Sequence, residues 1–252
     1  MPERTSYTAG SPCWVDLTVM ELDGPKAFYN GLFGWDYESS GEEMGNYTIC
    51  SVNGKVVAGM MPQMPGSESP IMWNTYLATD DLDGVLKSAR DAGANVVMEP
   101  MDVPEQGRVA YMIDPTGAPI GLWQAAAHIG AQLVNEPNTV AWNELHTPDS
   151  KAADAFYSRL FPYEFEQVGD GTTFDYAVLK VGKEQVAGRM RSDGPAHWLP
   201  YFATAAVDDT AAKVKQQGGQ VTREPEDTPY GRMGACQDPW GATFSIITTP
   251  PR

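Results

Sequence analysis

Two carboxylates occupy matching places in this chain, each two residues after a tryptophan: Trp14 and Asp16 in PCWVDLTV, Trp142 and Glu144 in VAWNELHT. In an extended strand, residues two apart project from one face with Cα atoms roughly 6.5 Å apart, so each pair places an indole beside a carboxylate. His146 continues the second set on the face of Glu144. A carboxylate beside an imidazole tunes it for proton transfer near neutral pH, although the same pair could simply line a polar cavity. Thr18 stands in the first copy where His146 stands in the second, so the two sites are not chemically equal. Asp16, Glu144 and His146 are thus the candidate acid–base residues. The other two histidines point to less: His128, in AAAHIGA, to packing or hydrogen bonding, and His197 to a partly exposed strand edge.

A second group could hold a ligand. Trp14, Trp142 and Trp123 are expected on cup-facing strand positions with Thr18 and Asn74, and Tyr76 and Tyr201 correspond at a spacing of 125. Indoles in such numbers serve cores as well as ligand platforms. Arg108 and Arg232 each follow a glycine after an acidic loop (EPMDVPEQGR and EPEDTPYGR). Either guanidinium could clamp a ligand carboxylate or phenolate, or pair with Asp102 or Glu226 and hold its loop. Met60, Met61 and Met64 could supply an adaptable wall. The DPTG and DPWG turns are structural, the Asp capping a turn fixed by Pro and Gly.

These residues recur because the chain is written twice. Trp14, Phe28, Tyr29, Leu32 and Phe33 return as Trp142, Phe156, Tyr157, Leu160 and Phe161, each 128 positions later; Gly107, Arg108 and Asp114 return as Gly231, Arg232 and Asp238 at 124. So long a period means two homologous domains, each expected to bury a core of its own. Alternation over Pro12–Val19 predicts a strand, and Asp23 as N-cap with Pro25 in the first turn begins a helix that ends near Gly34. Short strands follow about the Asn53-Gly54 turn. After the Pro/Ser/Gly connector from Pro62 to Pro70 the order repeats: strand Met72–Ala78, helix Leu82–Ala92 closed by Gly93, and strands near Asn95, Val109 and Ile120. The reading is α+β, with domains at 10–125 and 139–250, a linker at 126–138, and two βαβββ modules per domain forming a cupped mixed sheet.

Composition narrows the partners. Lys plus Arg number 17 against 33 Asp plus Glu, and a formal charge of −16 repels phosphate backbones and anionic lipid. No nucleic acid and no membrane surface is expected as partner. No apolar run approaches a membrane span and the start lacks a signal pattern, so the expected location is cytoplasmic. Cys13, Cys50 and Cys236 are odd in number and far apart, which fits reduced thiols.

WVDLTV followed by FYNGLFGW, the helix closed at a glycine, and the late DPTGAPIGLW resemble the vicinal oxygen chelate superfamily, which includes glyoxalase I, bleomycin-resistance proteins and extradiol dioxygenases. More narrowly, the layout with HIGAQLVNEPNTVAWNEL at the junction is similar to tandem two-domain actinobacterial members, among them a mycobacterial secreted-antigen homologue and anthracycline-biosynthesis accessory proteins. The resemblance implies four metal-ligand positions per cup. They fall on Trp14, Asn74 and Gly121 in one copy and Trp142, Leu199 and Ser245 in the other, with the fourth near Gly59 and Gly188. Those residues are not a metal set, so no metal and no cofactor is expected. The expectation is a metal-free protein holding an aromatic natural product or drug-like compound in a roomy, Trp-lined cup, in biosynthesis or antibiotic resistance. The alternatives are a metal-independent lyase, isomerase or cyclase using a cup carboxylate and His146, a metal-dependent glyoxalase or dioxygenase, and a protein-interaction role. Four modules in one chain allow a monomer, with a homodimer as the other option.

Overall fold

The structure is a computed structural model that describes residues 3–63, 66 and 69–248. Four modules follow one another. The first is β1 (Pro12–Val19), α1 (Asp23–Phe33), β2 (Asp36–Ser39), β3 (Thr48–Val52) and β4 (Lys55–Pro62); the second is β5 (Trp73–Ala78), α2 (Leu82–Asp91), β6 (Asn95–Val103), β7 (Gly107–Ile113) and β8 (Pro119–Ala125). The third is β9 (Val140–Thr147), α3 (Ser150–Leu160), β10 (Tyr163–Val168), β11 (Tyr176–Val181) and β12 (Glu184–Arg191). The fourth is β13 (His197–Ala203), α4 (Val207–Gln216), β14 (Gln220–Thr228), β15 (Gly231–Gln237) and β16 (Thr243–Ile247). Each pair of modules builds one eight-stranded mixed sheet, in the orders β2-β3-β4-β1-β5-β8-β7-β6 and β10-β11-β12-β9-β13-β16-β15-β14. The architecture is therefore α+β with two βαβββ modules per sheet, as expected.

Local signals explain most of the elements. Asn53 and Gly54 both take positive φ, 52° and 74°, turning the chain between β3 and β4. Gly34 ends α1 in the left-handed conformation. The start of α1 differs from expectation: Asp23 lies inside the helix, and the Glu21 carboxylate accepts from the Asp23 and Gly24 backbone N–H groups in its stead. Of the three methionines proposed as a cup wall, Met60 is buried in the core beside Leu17 of β1, Met61 is exposed, and Met64 lies outside the described residues.

The two largest cores are each shared between the domains, which departs from the expectation of one core per domain. Val15, Leu17 and Val19 of β1 and Phe28, Leu32 and Phe33 of α1 form one cluster with Phe202 of β13, Val207 and Val214 of α4, and Phe244 of β16. Leu77, Leu82, Leu86 and Met112 of the second module join Leu145, Phe156, Tyr157 and Trp198 of the third and fourth. One helix per module cannot cover the convex face of an eight-stranded sheet, so the two convex faces cover each other, with Thr75 Oγ1 bonded to Asn143 Oδ1 at 3.1 Å between them. Two reciprocal relays tie the halves. Trp73 donates to Tyr29 Oη (3.0 Å), and Tyr29 donates to Asp238 Oδ2 (3.0 Å). Trp198 donates to Tyr157 Oη (3.0 Å), and Tyr157 donates to Asp114 Oδ2 (3.0 Å). The DPTG and DPWG aspartates thus cap their own turns and accept from the other domain. The concave faces look away from these shared cores.

Candidate functional site

Strand alternation puts Trp14, Asp16 and Thr18 of β1, Asn74 and Tyr76 of β5, and Gly121 and Trp123 of β8 on the first concave face, because Val15, Leu17 and Trp73 point to the core. Antiparallel pairing sets Asp16 opposite Asn74, and parallel pairing sets Tyr76 beside Gly121. Asp16 is the hub. Its Oδ2 accepts from Tyr47 (3.1 Å) and Tyr76 (3.0 Å), and its Oδ1 from Asn74 Nδ2 (2.9 Å). Asn74 also donates to Thr18 (2.9 Å) and accepts from Tyr111 (2.6 Å), while Trp14 Nε1 donates to Tyr47 Oη (2.7 Å). Burial pushes the Asp16 carboxyl up to about 6, against the opposing pull of these donors.

This first cup is filled, which corrects the expectation of a roomy cavity. A Cβ on Gly121 would lie 2.1 Å from the Tyr76 ring, and one on Gly59 2.1 Å from Tyr47 Oη. The glycines are where two phenols lie against the sheet. The segment after β8 then crosses the face. His128 packs edge-on to Trp14 at 4.6 Å and Trp123 at 5.5 Å, Trp123 Nε1 donates to His128 O (2.7 Å), and Ala131 joins the same cluster. The Ala131 N–H donates to Cys13 O at 2.8 Å, and its carbonyl accepts from Tyr7 at 2.7 Å. Burial lowers the His128 imidazole to about 4, so it sits there neutral. Residues 126–135 form a cover, and the indoles Trp14 and Trp123 face the protein's own chain.

The second concave face keeps the plan with smaller or different residues. Trp142, Glu144 and His146 project from β9, and Leu199 and Tyr201 from β13. Trp142 Nε1 donates to Tyr176 Oη (3.1 Å), and Tyr201 donates to Glu144 Oε1 (2.9 Å). Register replaces Tyr111 by Ala235, Trp123 by Ile247 and Asn74 by Leu199. Trp142 is only half-buried, and Phe174 lies exposed and parallel to Tyr176 at 6.0 Å and 12°. Beside this wall His146 Nε2 stands 2.7 Å from Glu144 Oε1. The distance is one of direct contact, but Nε2 has no aligned hydrogen-bond partner among the described residues, so the N–H axis is turned away from the carboxylate. The His197 ring stacks on His146 at 4.9 Å and 17°, with its Nδ1 2.9 Å from Pro195 O. Burial lowers the His197 imidazole.

The structure thus gathers Trp14, Asp16, Thr18, Asn74, Tyr76 and Trp123 in one cup and Trp142, Glu144, His146 and Tyr201 in the other. Arg108 and Arg232 belong to neither. They alternate with cup-facing Val109 and Met233, and pair on the helix side with Asp83 and Asp102 (2.8 and 3.1 Å) and with Asp208 and Asp227 (2.6 and 3.1 Å). That corrects their assignment as ligand residues in favour of holding their loops; the partner of Arg232 in its loop is Asp227 and not Glu226. The sequence reading assigned none of Tyr47, Tyr111, Phe174, Tyr176 and His197 to the cups. Tyr47 and Tyr176 carried no signal except the glycines they cover. His197 could have been found, since it is four residues from Tyr201 and therefore on the same face.

Two concave sheets of paired βαβββ modules define a glyoxalase-type protein. The Glyoxalase/Bleomycin resistance protein/Dioxygenase superfamily profile matches residues 13–122 and again 123–246, and the chain belongs to that superfamily. It is 41% identical, over the full length of both chains, to "Putative glyoxylase CFP32" of Mycobacterium tuberculosis (strain CDC 1551 / Oshkosh). It is 35% identical to "Anthracycline biosynthesis protein DnrV" of Streptomyces peucetius, covering 96% of this chain and 94% of that one. Among solved structures, the Mn(II)-bound glyoxalase from Novosphingobium aromaticivorans aligns with TM-score 0.68 at 18% identity over 95% of this chain and 82% of the other. The 2,3-dioxygenase LapB from Pseudomonas sp. KL28 aligns with TM-score 0.68 at 13% identity over 97% and 94%. These two show the fold.

A metal such as the Mn(II) of that glyoxalase needs several N or O donors converging on one point with open positions. The residues here do not fit that demand. In the first cup the lone carboxylate spends both oxygens on Tyr47, Tyr76 and Asn74. In the second, His146 and His197 lie face to face, and stacked rings cannot aim their lone pairs at a common ion. Among the described residues no group of three His, Cys, Asp or Glu side chains is arranged to hold an ion.

Proposed function

We propose that the protein binds a planar aromatic small molecule in the cup of its second domain, as an accessory protein of natural-product biosynthesis or resistance, without a metal. The observation that carries this reading is the contrast between cups. One is closed by residues 126–135, whereas the other presents the half-buried Trp142, Tyr176 and the exposed Phe174 as an aromatic wall beside a carboxylate and two imidazoles. A π-rich wall with a few fixed polar groups suits a flat conjugated ligand. The relative named for anthracycline biosynthesis supports a polyketide-like compound. A monomer acting in the cytoplasm is part of the proposal: the four modules complete two shared cores within one chain, and the cysteines are free and buried. No helix among the described residues is long and apolar enough to cross a membrane.

Calorimetric titration with 1,8-dihydroxyanthraquinone, alongside tryptophan quenching, tests it. Micromolar or tighter binding is expected, weakened at least tenfold by Trp142→Ala and unaffected by Trp14→Phe. Absence of binding across a panel of planar aromatics, or dependence on Trp14 in place of Trp142, overturns the reading.

A further inference from the structure

We infer that the second cup is a proton-transfer site in which the His146 imidazole meets the ligand and Glu144 stands behind it as the orienting carboxylate, isomerising aromatic-fused ketones that carry an acidic α-C–H. The inference rests on the binding reading above and adds chemistry to it. A carboxylate and an imidazole so close could divide the labour either way, and exposure decides. The Glu144 side chain is 6% exposed against 20% for His146, and the carboxylate is already engaged by Tyr201. The buried nitrogen of His146 is Nε2, the one beside Glu144. The exposed part of the ring is therefore its far side, which carries Nδ1. A carboxylate next to Nε2 favours the tautomer protonated there and leaves the Nδ1 lone pair for the ligand. The N–H axis is not aligned on Glu144 in the unliganded site, and catalytic hydrogen bonds are commonly loose until ligand binds. His197, parallel to His146 at 4.9 Å, is a positioning residue that fixes the ring plane.

The step closes without a second reactant. Nδ1 takes a proton from the carbon next to a carbonyl; the C–H pair becomes the C=C bond, and the carbonyl π pair moves onto oxygen. The imidazolium, stabilised by Glu144, then returns the proton to that oxygen. The product is the enol isomer, and neutral His146 is restored. An imidazole is a weak base, so the C–H must be acidified by its neighbours, as beside both a ketone and an aromatic ring. Such a ring system is also what the wall of Trp142, Tyr176 and Phe174 suits.

The probe is 2-tetralone in D₂O, with deuteration at its benzylic α-carbon followed by ¹H NMR and binding followed by tryptophan quenching. The wild-type protein is expected to accelerate exchange. His146→Gln should lose about 10²–10⁴-fold of that acceleration, the range for one positioned acid–base group, while quenching persists. Glu144→Gln should lose less than His146→Gln, and His197→Phe, which keeps a stacked ring, should retain more exchange than His197→Ala. Quenching without accelerated exchange overturns the proton-transfer inference and leaves the binding reading standing. Full exchange in His146→Gln with loss in Glu144→Gln overturns the assignment of the imidazole as base. Neither quenching nor exchange defeats both readings for this ligand class.

Discussion

Tyr29→Phe tests whether the two domains are thermodynamically one. The hydroxyl it removes is fully buried, accepts from Trp73 Nε1 at 3.0 Å and donates across the domain boundary to Asp238 Oδ2 at 3.0 Å. A hydrogen bond to a charged group contributes about 1.5–3 kcal/mol, and an orphaned buried donor such as the Trp73 indole costs about 1–3 kcal/mol. Local relaxation recovers part of that, so a net loss of about 2–5 kcal/mol is expected. For a chain of this size each kcal/mol lowers the midpoint by roughly 2–4 °C, which makes the expected drop roughly 4–20 °C. Because Tyr29 belongs to the first copy and Asp238 to the second, and their core is shared, differential scanning calorimetry should show one transition that moves as a whole. Far-UV dichroism and tryptophan emission should trace the same curve. Two resolved transitions of which only one moves would refute the shared-core argument, whatever the size of the shift.

Two other perturbations address the closed cup. Asp16 has its carboxyl raised from 3.8 to about 6 by burial, so its contribution to stability is full below about pH 4 and is lost as pH rises through 6. At about 1.4 kcal/mol per unit, the stability of the wild type relative to Asp16→Asn should fall by about 2 kcal/mol between pH 4 and pH 7 in urea titrations; a pH-independent difference would contradict the assignment. Gly121→Ala places a methyl 2.1 Å from the Tyr76 ring and should destabilise by about 1–3 kcal/mol, as overpacking does. The same change in a Tyr76→Ala background should cost almost nothing, and an undiminished cost there would show that Tyr76 is not what the glycine accommodates.

How much of this was legible in the chain follows from which residues interact locally. The repeat, the modules, and the strand faces bearing Trp14/Asp16 and Trp142/Glu144 depend on period-two alternation and on turns such as Asn53-Gly54, and these read directly. The pairing of convex faces did not. Comparing the copies aligns Tyr29 with Tyr157 and Asp114 with Asp238, whereas the bonds run from Tyr29 to Asp238 and from Tyr157 to Asp114, a crossing that self-similarity conceals. The arginines misled for a related reason. Arg108 and Arg232 sit next to cup residues in sequence, but one step along a strand reverses the face. Gly121 was read as space left by a lost ligand residue, and Tyr76 occupies that space.

The inequality of the cups has a mechanical basis in the packing. The two largest cores and two Trp–Tyr–Asp relays join the copies on the convex side, and each concave face carries a smaller cluster of its own. The first has been built for order: each carboxylate oxygen of Asp16 is bonded, the phenols cover the glycines, and residues 126–135 lie across the indoles. The second departs from that order at particular positions. Ala235 and Ile247 replace Tyr111 and Trp123, and His146 replaces Thr18 with a buried nitrogen in contact with, yet unaligned to, Glu144. An imperfectly satisfied buried polar group costs stability unless a bound partner or a rearrangement completes it. Such residues persist where the rest of the structure holds them in place. The first cup is therefore satisfied by its own side chains, whereas the second leaves the buried His146 Nε2 without an aligned partner among the described residues.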